Sequence, residues 1–324
     1  MEMTLRILLL HILQGLVHLL LAPLAVAMLR WTRARLQRRQ GPALLQPYRD
    51  LLKLLRKGPA LPESASWVFG AAPVIVFGCY AALGFLAPVF YLPDSETSPV
   101  GDLLVLVYIL GLARLAVGLA GMDAGAPFGG LGSSRELFMH ALADPTLIFI
   151  GYTLALKWHT SNLSLIIWEN RQAGPLGVYA NPPLLLLSLA LALVMLAEAG
   201  RLPFDNPATH LELTMFGKAI HLEYAGPQLA LLEWAEALRL TFFLTLLSNL
   251  YAPWLLAAAG GAPLQNLVLV LLYPARLLLL ALLLAFWETL QVKARLRTIL
   301  TPALMALAIS LIAAMLVMAE RYLL

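Results

Sequence analysis

Eight runs of about 20 apolar residues, separated by short charged or turn-rich segments, leave this chain little choice of fold. They fall at roughly 7–29, 67–91, 101–120, 137–157, 182–199, 234–257, 264–287 and 300–319. A run of that length matches the hydrocarbon thickness of a bilayer, where backbone polar groups must be satisfied within the segment, so each is expected to be a helix. Composition agrees, since 61% of the 324 residues are hydrophobic and only 12% are charged, too apolar a balance for a water-soluble domain. The expectation is a single polytopic, all-α integral membrane domain over residues 1–324 with eight transmembrane helices, in contact with the lipid bilayer along its spans.

The first run has no small-residue cleavage pattern before its basic flank and reads as a retained span rather than a signal peptide. Cys79 is the single cysteine, so an intrachain disulfide or an iron-sulfur cluster held by this chain is excluded. His11 and His18 lie on one helical face, whereas paired haem ligands must approach an iron from opposite sides, so they read as packing or interfacial residues. The net charge of +4 is no sign of nucleic acid, because the basic residues flank the spans and orient them.

Orientation follows from those residues. Arg30, Arg33, Arg35, Arg38, Arg39, Arg49, Lys53, Arg56 and Lys57 oppose only Asp50 and Glu63 in the basic loop 30–66. The positive-inside rule makes this loop cytoplasmic and puts the N-terminus outside. Arg135, Arg201, Lys218 and the Lys293, Arg295, Arg297 group are then cytoplasmic. The loop with Asp94 and Glu96 and the uncharged loop 252–266 are external, as is a long loop, 157–183, in which no chemistry is evident.

Three cytoplasmic segments stand out. In 44–57, leucines at helical spacing oppose Arg49, Lys53 and Arg56, as in an amphipathic surface helix that anchors to headgroups or docks a peripheral subunit. The glycine-rich loop 121–136 lacks the strand and Gly-Lys-Ser/Thr of a phosphate loop, and its Ser133 and Glu136 have capping-box spacing for the next span. The acidic loop 200–232 and its flanks hold the third. Pro203 and Pro207 break the helix there, and Glu198, Asp205, Glu212, Glu223, Glu233 and Glu236 crowd around it. His210, Glu212, His221 and Glu223 are metal-ligand types without a compact ligand spacing, and no metal is expected.

Ionisable groups inside a span persist when they face protein or water. His140 and Asp144, four residues apart on one face, read as a proton or substrate path or a buried hydrogen-bonded pair. Glu288 closes the seventh run, Arg239 lies one turn beyond Glu236 to hold its charge, and Arg114 and Arg276 are the remaining candidate countercharges. With this topology Asp144, Glu198, Asp205, Glu212, Glu223, Glu236 and Glu288 all project into the cytoplasmic half.

These residues carry a resemblance. Arg39-Gln40-Gly41-Pro42 with Leu45-Gln46-Pro47, the stretch from Ala197-Glu198 to Pro203-Phe204-Asp205, and Leu222-Glu223-Tyr224 followed by Glu236 resemble subunit 1 of respiratory complex I. Gln46 to Asp50, Gly121 to Phe128 and Ser134 to Leu137 look closer to its relative in membrane-bound group 4 [NiFe] hydrogenases and formate hydrogenlyases of the hydrogenase-4 type, as does Glu288 followed by Ala294 and Arg295. The family implies a non-catalytic subunit in a bacterial cytoplasmic (inner) membrane, joining a peripheral redox arm to ion-pumping subunits. Carried over by position, Asp144, Glu198, Asp205, Glu212, Glu223 and Glu236 would belong to its proton funnel. Asp144 stands where a glutamate is usual, Ala208 and His210 replace acidic residues, and the Asn-Arg after Gly-Pro is missing.

The resemblance therefore implies proton or Na+ coupling, with Arg39, Arg49, Asp50, Lys53, Arg56 and Arg135 docking the arm. No cofactor is expected in this chain. The [NiFe] centre and iron-sulfur clusters would belong to hydrogenase-like large and small subunits and iron-sulfur subunits, beside antiporter-like membrane subunits. Two alternatives stay open: a quinone-site subunit of a complex I-like enzyme, and a proton-coupled secondary transporter, for which no internal repeat is visible.

Overall fold

The computed structural model describes residues 2–59, 62, 64–93, 101–205, 217–258, 262–291 and 296–323. All eight apolar runs are helical: α1 (Glu2–Leu36), α3 (Trp67–Leu86), α4 (Leu103–Asp123), α5 (Pro127–Trp158), α7 (Pro182–Glu198), α9 (Gly226–Tyr251), α10 (Pro263–Leu290) and α11 (Leu296–Leu323). Between them lie α2 (Gln46–Leu55), α6 (Leu163–Tyr179) and α8 (Gly217–His221).

Length and composition alone qualify six described helices to cross a bilayer: α1, α3, α4, α5, α10 and α11. A seventh is gained if α6 and α7, which meet at 97°, count as one broken span. The two other expected runs fall short for separate reasons. The 17 residues of α7 extend only about 26 Å, and the hydropathy of α9 is diluted by Glu233, Glu236, Arg239 and a run of buried Thr, Ser and Asn.

Helix α9 is the hub of the bundle. From Leu240 to Thr245 every residue is buried, as in a helix enclosed on all sides. It packs on α3 and α1, while α4 joins α3 to α5, α11 covers α5 and α7, and α10 lies against α1.

Two expectations change here. The stretch between the fourth and fifth runs is not simply a loop, because it forms α6, whose buried Asn170 and half-buried Arg171 donate to the Leu250 and Leu256 carbonyls. Nor does Ser133 cap a helix start, since α5 begins two turns earlier with Pro127 at its first position. Ser133 is instead buried against Gly121, and a Cβ on Gly129 would meet the Gly121 carbonyl oxygen at 2.7 Å. The glycines therefore let α4 and α5 approach backbone to backbone. Asp123, at the end of α4, accepts from the Ser66 and Phe69 backbone N–H groups at 2.9 and 3.1 Å and ties the start of α3 to the same turn.

The two ends of the bundle differ. The end of α1, the starts of α3, α5 and α9, and the end of α10 meet at one end, which gathers the basic segments. At the other end the helices are interrupted by Tyr91–Leu92 (β1) and Ala257–Ala258 (β2), paired in parallel. Non-helical backbone near membrane depth needs partners, and buried side chains supply them. Gln14 Oε1 accepts from Val89, Phe90 and Tyr91 N–H, and Asn249 donates to Pro88 and Val89 carbonyls.

Candidate functional site

The basic end encloses a cavity of about 710 Å³. Its described lining comes from the last turns of α1, the middle of α5, the turn after α7, the start of α8 and one face of α9. That turn places Phe204 and Asp205 inward, both buried.

Glu198, fully buried, is the centre of an ion network in the cavity wall. It accepts from Arg114 Nε at 3.1 Å and from His140 Nδ1 at 3.0 Å. Arg114 also pairs with Asp144, and the second His140 nitrogen lies 3.6 Å from Glu136. Glu136 in turn meets Arg239 at 3.6 Å, and Arg239 stands over the Tyr80 ring. The chain of contacts is Asp144, Arg114, Glu198, His140, Glu136, Arg239, with carboxylates and bases in alternation. Three carboxylates face two guanidiniums, so the cluster balances when it holds one further proton, on His140 or on a carboxyl group.

A second cluster lies beside it. Lys218 Nζ is 2.5 Å from Glu233 and 2.8 Å from Glu236, with His221 Nδ1 at 3.5 Å from Glu236. Burial by itself would lower the Lys218 pKa, but the Glu236 and Glu233 carboxylates outweigh it and the net shift is upward. His221, Glu233 and Glu236 bring ligand-type atoms within 4.8 Å of one another, yet the Lys218 ammonium occupies the place a metal ion would take. A further carboxylate, Glu288, is shared by Arg33 at 3.4 Å and Arg201 at 3.5 Å.

The structure thus brings Glu198, Asp205 and Glu236 to the cavity, with Asp144 behind Arg114 and Glu288 behind its two arginines. Glu223 is half-buried and does not line the cavity, and Glu212, like Pro207 and His210, lies outside the described residues. Three pairings depart from expectation. Arg239 does not hold Glu236 as its closest partner; it turns to Glu136, because Lys218 from α8 already occupies Glu236. Arg276 makes no described ion pair with a carboxylate and sits at the opposite end, bound to the Val89 and Leu255 carbonyls and Asn249 Oδ1. Arg39, expected at a docking surface, lines the cavity.

The amphipathic segment is α2. Tyr48 donates to the Leu20 carbonyl at 2.5 Å and Leu51 is buried, so the helix is fastened to the bundle, while Arg49, Lys53 and Arg56 are exposed. Asp50 accepts from Gln46, and Arg135 is half-buried at the same end.

Sequence alone does not single out Glu136, Lys218 and His221 as proton-site residues. A signal for Glu136 is nevertheless present: Glu136, His140 and Asp144 recur every four residues along one face of α5.

Residues 8–319 match the family model described as NADH dehydrogenase. Formate hydrogenlyase subunit 4 of Escherichia coli (strain K12) is 31% identical over 293 residues, covering 90% of this chain and 92% of that protein. Hydrogenase-4 component C of the same strain is 32% identical over 243 residues, 74% of each chain. An NADH-quinone oxidoreductase subunit of Rickettsia typhi is 30% identical over 244 residues, covering 68% of this chain and 69% of that one. A chain in the structure of the membrane-bound sulfane sulfur reductase, an archaeal respiratory membrane complex, superposes with a TM-score of 0.74 at 21% identity, over 97% of this chain and 100% of that chain. At that identity the likeness concerns the fold.

Proposed function

Because this chain belongs to the NADH dehydrogenase family, as a multi-pass membrane protein related to hydrogenase-4 and formate hydrogenlyase subunits, we propose that it is the coupling subunit of a hydrogenase-type, ion-translocating oxidoreductase. It docks a peripheral redox arm of hydrogenase-like and iron-sulfur subunits on its basic end, through the exposed bases of α2 and through Arg135 in the first turns of α5. Within the bilayer it adjoins antiporter-like subunits. Counting α7 and α9 with the six qualifying helices gives eight spans, and the basic end faces the cytoplasm with the N-terminus outside.

The observation that carries this reading is the pair of ion clusters at the cavity, one buried around Glu198 and one half-buried around Lys218, in each of which carboxylates outnumber the lysine or arginine partners and a histidine lies within reach. A change in the arm that moves a lysine or arginine by a few ångströms alters which of these groups holds a proton, since a nearby charge is the strongest determinant of a buried group's protonation after burial itself. Redox work is thereby converted to proton movement without a cofactor in this chain. Family membership supports a complex subunit over a free-standing transporter. The second reading, a quinone-site subunit, rests on a cavity of about 710 Å³, within the size range of small-molecule sites.

The test is neutralisation with shape retained. Glu236→Gln and Asp144→Asn should leave the assembled complex in the membrane but remove most redox-driven ion uptake into vesicles. Normal uptake per assembled complex in both variants would sink the coupling role.

A further inference from the structure

The mouth of the cavity is rich in side-chain donors, of which Arg33 and Arg201 have a carboxylate partner among the described residues. Arg30, Arg33 and Gln37 share one face at the end of α1, at spacings of three and four residues, and Arg39, Gln40 and Arg201 complete the rim. The guanidiniums of Arg30, Arg33, Arg39 and Arg201 line this part of the cavity, and Glu288 behind them is already divided between Arg33 and Arg201. Arg30 and Arg39 are exposed to the cavity mouth and have no ion-pair partner among the described residues. Burial lowers the Arg201 pKa; Glu288 and Glu236 oppose this, Arg30 and Arg33 add to it, and the net shift is downward, so these like charges feel one another.

Among the described residues, such a cluster at the membrane-surface end of a span holds more guanidiniums than carboxylates. Guanidiniums suit phosphate oxygens, which accept in the forked geometry they offer. Next to the donors the wall is apolar, with Val26, Leu29, Ala34 and Phe204. We propose that this rim is a binding site for a phosphate-bearing anion, with Arg30 and Arg39 as its unpaired donors and an anionic phospholipid headgroup as the source that the apolar wall favours. The site goes beyond the coupling role and does not depend on it.

The experiment uses the full chain purified with its co-purifying subunits and placed in phosphatidylcholine nanodiscs containing a minor fraction of labelled phosphatidylglycerol. Wild type should retain phosphatidylglycerol over phosphatidylcholine, and Arg30→Gln with Arg39→Gln should weaken that retention by at least about tenfold, since a charged hydrogen bond is worth enough for such a factor. Arg35→Gln with Arg38→Gln removes the same charge from neighbouring residues outside the cavity lining and should leave retention unchanged. If inorganic phosphate alone binds with the same dependence on Arg30 and Arg39, the site stands with the free anion as its source. Equal retention of the two lipids with no phosphate binding would overturn the site, as would equal loss in both double variants. A neutral quinone held equally by wild type and the Arg30/Arg39 variant, with no phosphatidylglycerol held by either, would also overturn it.

Discussion

Arg114 and Arg276 look alike in sequence, each a lone guanidinium inside an apolar run, yet the structure uses them in opposite ways. Arg114 lies between Glu198 and Asp144 at the cavity end, so its partners are groups that can gain or lose protons. Arg276 lies at the far end among the Val89 and Leu255 carbonyls and Asn249, whose charge state is fixed. A buried arginine that satisfies backbone is a structural device, replacing the hydrogen bonds a broken helix gives up. One held by carboxylates has a pairing that depends on protonation. The difference separates a site from a scaffold where burial and residue type do not.

The largest effect should come from Arg114→Met. It strands the carboxylates of Glu198 and Asp144, and removing one partner of a buried pair costs about 3 to 5 kcal/mol. The yield of inserted chain should fall sharply, and adding Glu198→Gln should recover part of it. A yield equal to wild type for the single variant would mean that the network is not a buried ion cluster.

Arg276→Met comes next. The Leu255 carbonyl would lose its Arg276 donor, at roughly 1 to 3 kcal/mol if left unsatisfied, while the Val89 carbonyl would keep Asn249. Hydrogen exchange should accelerate in residues 88–92 and 252–258 and stay unchanged around the cavity. Faster exchange at the cavity end would show the two regions to be one cooperative unit.

The smallest effect is set by pH. Lys218 has its pKa raised in the fold, so its contribution is fully present below the ordinary value of 10.5 and is lost only as pH rises through the higher folded value. Lys218→Gln should lower thermal stability of the solubilised chain by up to about 1 kcal/mol equivalent at neutral pH. The gap from wild type should close only above pH 10.5. A gap that closed already below pH 10.5 would contradict a raised Lys218 pKa.

How much of this can be read from residues alone follows the same division. The apolar runs foretell eight of the described helices because helix formation in a bilayer is local. They do not foretell α6, whose Asn170, Arg171 and Pro175 interrupt any periodic pattern and whose anchors, the Leu250 and Leu256 carbonyls, lie about 80 residues away. The Glu136, His140, Asp144 register is legible as one face of a helix. Which base each meets is not, because Arg114, Arg239 and Lys218 arrive from other helices. The same holds for Arg276, whose role depends on a break in two chains of backbone that no local spacing records.

The most direct test is ion uptake per assembled complex, measured on matched vesicles for His140→Gln and Arg276→Met. His140→Gln removes the titratable imidazole that links Glu198 to Glu136 while keeping a polar side chain, and it should abolish redox-driven uptake in complexes that still assemble. Arg276→Met should assemble less well but pump normally once assembled. Normal uptake in the His140 variant, or loss of uptake per complex in the Arg276 variant with His140 intact, would contradict the assignment of coupling to the cavity end.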